Sequence, residues 1–456
     1  KELQETNKIP FIYTKHGREA LAEAANCFYE KPSNKVKLIG VTGTNGKTTT
    51  THLIAQALSS VSLKKNKQKN FQKVGLIGTL GTKIYENGKC IQFLGEGSGR
   101  TTPEATELQE LISSLHKKNC SYVVMEVSSH SLEQGRVHKC NFASAVFTNL
   151  TQDHLDYHLT MQNYYEAKKI LFDKVLEGEG QVSVVINSDD QWGQQLLLSL
   201  EKAQTQKELQ IFNYFIKQEP TSSKQSITDL KASNPQFIGD SSVCTITYNS
   251  ENLEMQLPMN GLFNIYNALA TLGVCLSEGA SLPDTLKALK QVEGAPGRFQ
   301  LVKSTNKSIK EKPTCIVDYA HTPDGLENVL KAAKNMLTPQ ARLLCLFGCG
   351  GDRDTTKRPI MGQIAENYAD YTIVTSDNPR TEEPNQIIAD IMAGFTSLDK
   401  CEVEIDRKKA IEKIIKIAKP NDVVLIAGKG HEDYQIFADR TEHFDDYEEV
   451  LKCLEK

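Results

Sequence analysis

The feature that most limits what this chain can fold into is a short apolar run, Val36 to Val41, that ends in the glycine-rich Thr42-Gly43-Thr44-Asn45-Gly46 and continues as Lys47-Thr48-Thr49. A run of this length bounded by glycines predicts a buried strand feeding a loop. A helix should follow, because Leu53, Ile54, Ala57 and Leu58 recur at helical spacing. At such a strand-to-helix turn the free backbone N–H groups and the helix dipole favour a phosphate. Lys47 adds charge there, and the Thr48 hydroxyl can ligate Mg²⁺. The strict G-x-x-x-x-G-K-[ST] pattern is not met, since Val41 stands at its first glycine. A purely structural turn is therefore the competing reading, and the strand and helix on either side favour the nucleotide.

The rest of the chain repeats this strand-and-helix rhythm. Strands are predicted at Val74 to Ile77, at Tyr122 to Val127 and in the runs 143–148 and 182–187. Helices are predicted around Leu108, Leu111, Ile112 and Leu115 and from Met161 to Leu176, and Asn87-Gly88 has the chemistry of a hairpin turn. The pattern predicts an α/β domain built on a P-loop-type, doubly wound parallel sheet. Residues 217–258 turn to short alternating segments such as Val243-Cys244-Thr245-Ile246-Thr247 and read as an antiparallel appendage to that domain. A composition break at Glu293-Gly294-Ala295-Pro296-Gly297 precedes a second α/β alternation, from Thr314 to Val317 onward to Val423 to Ile426. This predicts a Rossmann-like C-terminal domain. The boundaries expected are 1–34, 35–295 and 296–456, in line with the ~100–200 residues typical of one domain.

Composition narrows the function. The formal net charge is -4, from 53 basic and 57 acidic residues, which gives no reason to expect a nucleic acid or a membrane as partner. No apolar run reaches the ~18 residues that span a bilayer, and the start Lys1-Glu2-Leu3-Gln4 has no signal-peptide core. The 11 cysteines include no C-x-x-C pair, and several lie in apolar runs such as Leu343-Leu344-Cys345-Leu346-Phe347, so they read as reduced core thiols of a cytoplasmic protein.

Glu126 and the segment Asp153-His154-Leu155-Asp156-Tyr157-His158 lie past the carboxyl ends of predicted strands, where open α/β sheets place their ligands. Glu126 suits Mg²⁺, which prefers oxygen, with imidazole as a less usual companion. Two histidines four apart could instead hold zinc, although no H-E-x-x-H is present and no cysteine is near. A plain surface loop is the remaining reading.

Five segments in order, Thr42 to Thr48, Glu126-Val127-Ser128-Ser129-His130, Asp153-His154-Leu155-Asp156, Gly261-Leu262-Phe263-Asn264-Ile265-Tyr266-Asn267 and Asp318-Tyr319-Ala320-His321, resemble the Mur ligases from about Val36 to the end. Asp377-Asn378-Pro379-Arg380 and Gly428-Lys429-Gly430-His431-Glu432-Asp433 resemble the branch that adds the third amino acid to a UDP-N-acetylmuramoyl dipeptide. The resemblance implies that Gly43, Thr44, Asn45, Gly46, Lys47, Thr48 and Thr49 hold the ATP phosphates and that Asn264, Arg298 and Asp318 surround the nucleotide. It implies that Thr48, Glu126 and His154 hold magnesium, together with Lys168 as a CO₂-derived carbamate. Lys47, Glu126, His154 and Lys168 then form the catalytic set. Thr101, Thr102, Ser128, Gln134 and Arg136 match positions that contact the muramoyl dipeptide. Arg353, Asp377, Asn378, Pro379, Arg380, Gly428 and Glu432 match the amino-acid pocket.

The activity so implied is ATP-dependent addition of meso-diaminopimelate to the D-glutamyl carboxylate of UDP-N-acetylmuramoyl-L-alanyl-D-glutamate through an acyl phosphate, by a monomer. Members of the family carry a complete uridine-binding domain at the N-terminus. Only about 40 residues precede the phosphate loop here, below the usual minimum for a domain, so residues 1–34, with Phe11-Ile12-Tyr13 and a helix from Arg18 to Phe28, are expected to be its remnant. The lysine-adding version of the same ligase and folylpolyglutamate synthase are the nearest enzyme alternatives, and Arg380 with the muramoyl-contact set argues against both. A ligase-fold scaffold without activity would have little reason to keep Lys47, Glu126, His154, Lys168 and Arg380 together.

Overall fold

The computed structural model describes residues 13–63, 71–95, 99–178, 180–203, 209–217, 227–303 and 312–455. Phe11 and Ile12 and most of the lysine-rich stretch after Leu63 lie outside them. Eleven strands form one sheet: β1 (Lys37–Thr42), β2 (Lys73–Gly78), β3 (Gly81–Glu86), β4 (Lys89–Gly95), β5 (Cys120–Glu126), β6 (Phe142–Phe147), β7 (Val182–Asn187), β8 (Leu209–Phe215), β9 (Ile227–Ile238), β10 (Ser241–Tyr248) and β11 (Glu251–Leu257). Their order is β11-β10-β9-β8-β7-β6-β1-β5-β2-β3-β4. β1 lies between β5 and β6 and is parallel to both, so both of its faces must be covered and its residues from Leu38 to Val41 are apolar. Leu38 enters one core layer with Leu108, Ile112, Leu171 and Phe172. Ile39 and Val41 enter the opposite layer with Leu53, Ile54, Leu269 and Leu272.

The helix Lys47–Ser60 is buried on all sides, from Thr48 to Ser59. It lies between the sheet and the helix Leu262–Ser277, and buried polar residues along it are paired within the protein, Thr50 with Asn267 and Thr51, His52 and Ser59 with carbonyls three or four residues back. The segment read as an appendage is a continuation of the main sheet: β9 runs parallel to β8, and only β10 and β11 add antiparallel pairs. The reason is that Leu230, Ala232, Cys244, Ile246 and Met255 complete the core layer already built by the helix Leu262–Ser277.

A second sheet follows the composition break, with β12 (Gln300–Leu301), β13 (Thr314–Asp318), β14 (Leu343–Phe347), β15 (Tyr371–Val374), β16 (Cys401–Val403) and β17 (Val423–Ala427) in the order β12-β13-β17-β14-β15-β16. All pairs but β12 with β13 are parallel. Alternate residues again feed two layers, Ile316 one and Cys315 and Val317 the other. Among the described residues no helix is long and apolar enough to cross a membrane.

Candidate active site

The phosphate loop leaves β1 between the parallel strands β5 and β6, which stay paired with it to its end, so ligands can enter between the loops that follow β1, β5 and β6. Its amides face Asn149: Thr44 N donates to the Asn149 carbonyl at 2.9 Å and Asn45 N to Asn149 Oδ1 at 2.9 Å. Gly46 has φ 86°, and a side chain there would meet Asn267 Oδ1 at 2.6 Å, so only glycine serves. Lys47 folds over its own loop, donating to the carbonyls of Gly43 (2.9 Å) and Thr44 (2.8 Å). Burial lowers its pKa from the ordinary lysine value.

Glu126 ends β5 opposite Val41 and is fully buried. Its carboxylate accepts the Thr48 hydroxyl at 2.9 Å, the Thr79 N–H at 2.8 Å and the Thr79 hydroxyl at 3.2 Å. Two hard oxygens, from Glu126 and Thr48, thus meet at the base of the loop, a donor set that suits Mg²⁺ better than a thiophilic metal. His154, in a left-handed turn (φ 53°), lies 3.3 Å from Asp153. His158 packs in the same aromatic cluster, both imidazoles lying against His130 and Tyr164, but its Nε2 is spent on Ser129 Oγ at 2.9 Å while His154 faces Asp153.

Lys168 comes from the helix Met161–Glu177, which Thr160 caps by accepting the Asn163 N–H. Its ammonium is buried, donates to the Gly43 carbonyl at 2.9 Å and lies over the Tyr164 ring at 4.5 Å. Burial, and then the charge of Lys47, hold its pKa well below the ordinary value. As an amine it offers no oxygen to a metal.

The facing wall belongs to the second α/β unit. Arg298 donates to Thr48 Oγ1 at 3.3 Å and lies over the Tyr319 ring at 4.3 Å. Asp318, at the end of β13, accepts the Phe299 N–H at 2.6 Å, and burial pushes its carboxyl up to about 6. Asp324 reaches across to Asn45 Nδ2 at 2.7 Å. Together these walls enclose a cavity of about 450 Å³ that includes Thr44 to Thr49, Thr101, Glu126, His154, Arg298 and Asp318.

Three of the residues expected around the nucleotide and metal do not line it. Gly43 and Lys168 stand behind the loop. Asn264 is buried, spending its amide on the Asn260 carbonyl (2.8 Å) and its oxygen on Asn267 Nδ2 (3.2 Å), so Asn267 faces the cavity in its place. Thr79, Asn149, Asp324 and Tyr319 were missed. The rule that drew attention to Glu126, that ligands gather past the carboxyl ends of parallel strands, reaches Thr79 when applied to β2.

The residues expected to contact the dipeptide are gathered beside Glu126. Thr101 accepts the Thr79 hydroxyl at 3.2 Å, and Thr102 donates to the Glu126 carbonyl at 2.9 Å and accepts the Ser128 N–H at 3.0 Å. Arg136 donates to the Thr102 carbonyl at 3.0 Å and to Gln134 at 2.6 Å. Ser128 Oγ also caps the next helical turn through Ser131 N.

The amino-acid set forms a separate group at the carboxyl ends of β15 and β17. Asn378 donates to Glu432 at 2.7 Å. Gly428, at φ 118°, leaves room for Asp377, whose Oδ2 would lie 2.5 Å from any side chain there. Pro379 accepts the Glu382 N–H through its carbonyl. Arg380 donates to the Gly351 carbonyl at 2.7 Å, while the nearby acid Glu382 is taken by Arg358 at 2.9 Å. Arg353 is exposed and bonds the carbonyl of Asp352, whose side chain ties its loop to Thr381. Tyr319 connects the group to the cavity, its hydroxyl 3.4 Å from Glu432.

The family model for the Mur ligase middle domain matches residues 41–275, and that for the Mur ligase glutamate ligase domain matches residues 297–430. The UDP-N-acetylmuramoyl-L-alanyl-D-glutamate–2,6-diaminopimelate ligase of Clostridium tetani is 41% identical over 448 residues, covering 98% of this chain and 84% of the relative. The enzyme of the same name from Synechococcus elongatus is 43% identical over 431 residues, covering 94% and 79%. A solved structure of a ligase of this name superposes with a TM-score of 0.63 at 32% identity, covering 96% of this chain and 83% of that one. Folylpolyglutamate synthase of Mycobacterium tuberculosis, with ADP and AMPPCP, shares the fold (TM-score 0.65) at 15% identity. With both domain models matched in order and more than two-fifths of residues shared with ligases over nearly its whole length, the chain belongs to the Mur ligase family.

Proposed function

We propose that this chain is an ATP-dependent ligase that joins diaminopimelate to the D-glutamyl carboxylate of UDP-N-acetylmuramoyl-L-alanyl-D-glutamate, in the cytoplasm, as a step of peptidoglycan precursor synthesis. The observation that carries this reading is the placement of three sets around one crevice: a phosphate loop with Lys47, the buried Glu126 and Thr48 beneath it, and Arg298 and Asp318 opposite. A carboxylate becomes an electrophile only when its oxygen is made a leaving group. In this reading Lys47 and Arg298 neutralise the charge that builds on the transferred phosphoryl group.

Thr48, Glu126, His154 and Lys168 as its carbamate are the residues that would hold Mg²⁺. When bound, Mg²⁺ supplies further neutralisation of phosphate charge. Lys168 suits the modification because burial favours its neutral amine, the form that adds to CO₂ with release of one proton. Thr101, Thr102, Ser128, Gln134 and Arg136 hold the dipeptide end beside Glu126. Arg380, with Arg353, offers a planar fork to the distal carboxylate of diaminopimelate, the group that lysine lacks. Asn378 and Glu432 face the distal ammonium. Mass spectrometry of the product formed from ATP, the UDP-linked dipeptide and either diaminopimelate or lysine tests substrate and reaction together. A product carrying lysine in equal yield would refute the assignment.

A further inference from the structure

Lys429 is fully buried, yet it carries the central charge of the amino-acid pocket. It follows β17 in the loop that begins at Gly428. Its ammonium donates to Asn378 Oδ1 at 3.2 Å and to the Tyr434 carbonyl. It lies 3.8 Å from Glu432 and 4.0 Å from Asp377. The same Asn378 donates to Glu432 at 2.7 Å. One cation therefore touches or neighbours every polar side chain that we place at the distal ammonium of the amino acid, while its own burial keeps it from touching that ligand. We propose that Lys429 is a positioning residue: its ammonium sits against Glu432 and Asp377 and fixes the rotamer of Asn378, so that the pocket presents an anionic face to a cationic group of the incoming amino acid. This rests on the reading that the pocket receives diaminopimelate.

The physical reason is the cost of two neighbouring carboxylates in a crevice with little water. Like charges gathered around one site disfavour each other's ionised form unless a cation balances them, and Glu432, 3.8 Å from Lys429, stands in that position. Its pKa is raised by burial first and by the charge of Asp377 second, against the pull of Lys429, the Asn378 bond and Arg380. Arg407 also faces the pair from its own helix, but Asp446 already balances it with a bidentate contact. Tyr319 and Tyr434 complete the surroundings and stay neutral, both held above the ordinary phenol value by burial. Without Lys429, nothing of opposite charge at this distance among the described residues offsets the burial that already favours the protonated acid of Glu432, and the distal ammonium would face a weaker anionic partner.

The test is steady-state kinetics of Lys429→Met, which keeps the buried stem, and Lys429→Arg, which keeps the charge, with ATP and the UDP-linked dipeptide saturating. Lys429→Met is expected to raise KM for diaminopimelate about tenfold or more at pH 7 and to regain most of that loss by pH 9, with KM for ATP within twofold of the unmutated value. Lys429→Arg should recover much of the affinity. Glu432→Gln, which imitates the protonated acid, should raise KM similarly with no recovery at high pH, and it carries the test if Lys429→Met does not fold. A purely structural lysine would lower the melting temperature and the active fraction while leaving KM and its pH profile unmoved, and that result would overturn the proposal. So would an unchanged KM in Glu432→Gln. Failure of the unmutated protein to use diaminopimelate would instead overturn the functional reading, and the proposal with it.

Discussion

Arg407 offers the sharpest test of how the C-terminal unit holds its pocket. It opens the helix Arg407–Ile417, a position where a cation opposes the helix dipole, and its side chain is entirely buried together with Asp446. Two charge-assisted bonds of 2.7 Å, Nε to Oδ1 and Nη2 to Oδ2, join them. The guanidinium also donates to the carbonyls of Ala427 (3.0 Å) and Ser376 (3.4 Å), the residues just before Gly428 and Asp377. Arg407→Met keeps much of the packing and leaves Asp446 as an unbalanced buried carboxylate, which should cost ~3–5 kcal/mol. The double variant Arg407→Met/Asp446→Leu removes both charges and should recover at least ~2 kcal/mol of that loss, a coupling typical of groups in direct contact. The one tryptophan, Trp192, lies in the other unit, so intrinsic fluorescence is a poor reporter. Hydrogen exchange of the β17 and β14 amides in the three proteins measures the opening free energy where it matters. Protection there should fall by the stated amount in the single variant, with β1 and β5 unchanged. A fall below ~1 kcal/mol, or a double variant no more protected than the single one, would refute the reasoning that charge balance, and not packing, anchors this loop pair.

Lys168→Ala is expected to reduce ligation by at least about 10³-fold while leaving the melting temperature within a few degrees, with partial rescue by short carboxylic acids; wild-type turnover in CO₂-free buffer would remove the carbamate from the mechanism. The raised pKa of Asp318 has a definite sign: the folded state holds a proton between the ordinary value of 3.8 and about 6 that the unfolded state has released, so stability is greatest below this window and falls as pH rises through it, by on the order of 3 kcal/mol. Thermal unfolding of Asp318→Asn from pH 4 to 7.5 should lack that slope and be the more stable protein at pH 7.5, with weaker ATP binding; an identical slope in both proteins would exclude Asp318 as its source. For Arg380, discrimination between diaminopimelate and lysine should reach about 10³-fold or more in kcat/KM, because a site built for a carboxylate leaves its donors unpaired when lysine binds. Arg380→Ala should collapse diaminopimelate use without altering KM for ATP or creating an efficient lysine enzyme, and equal kcat/KM for both amino acids in the unmutated protein would exclude this role.

What the sequence determined by itself was local. The strand and helix around Gly43 to Thr49, the Asn87-Gly88 hairpin, the break at Glu293 to Gly297 and the second α/β alternation all follow from periodicity and from turn chemistry that acts over a few residues. Glu126 was legible because a charged residue at the end of an apolar strand has few places to go except the ligand-binding edge of a sheet. What tertiary structure decided was contact between distant segments. Residues 227–257 continue the main sheet because their apolar faces complete a core layer owned by a helix that comes later in the chain, which no local pattern can register. Asn264 and Asn267 differ by less than one helical turn, and only the rotation of their helix against Lys47–Ser60 puts Asn267 toward the phosphate loop and turns Asn264 away. Lys429 stood in the sequence as a member of the Gly428 to Asp433 segment, with no role of its own among the site residues. Its position between Asp377 and Glu432, 52 and 3 residues away in sequence, comes from strands β15 and β17 ending at the same edge of one sheet, and charge balance at that edge is a property of the folded neighbourhood alone.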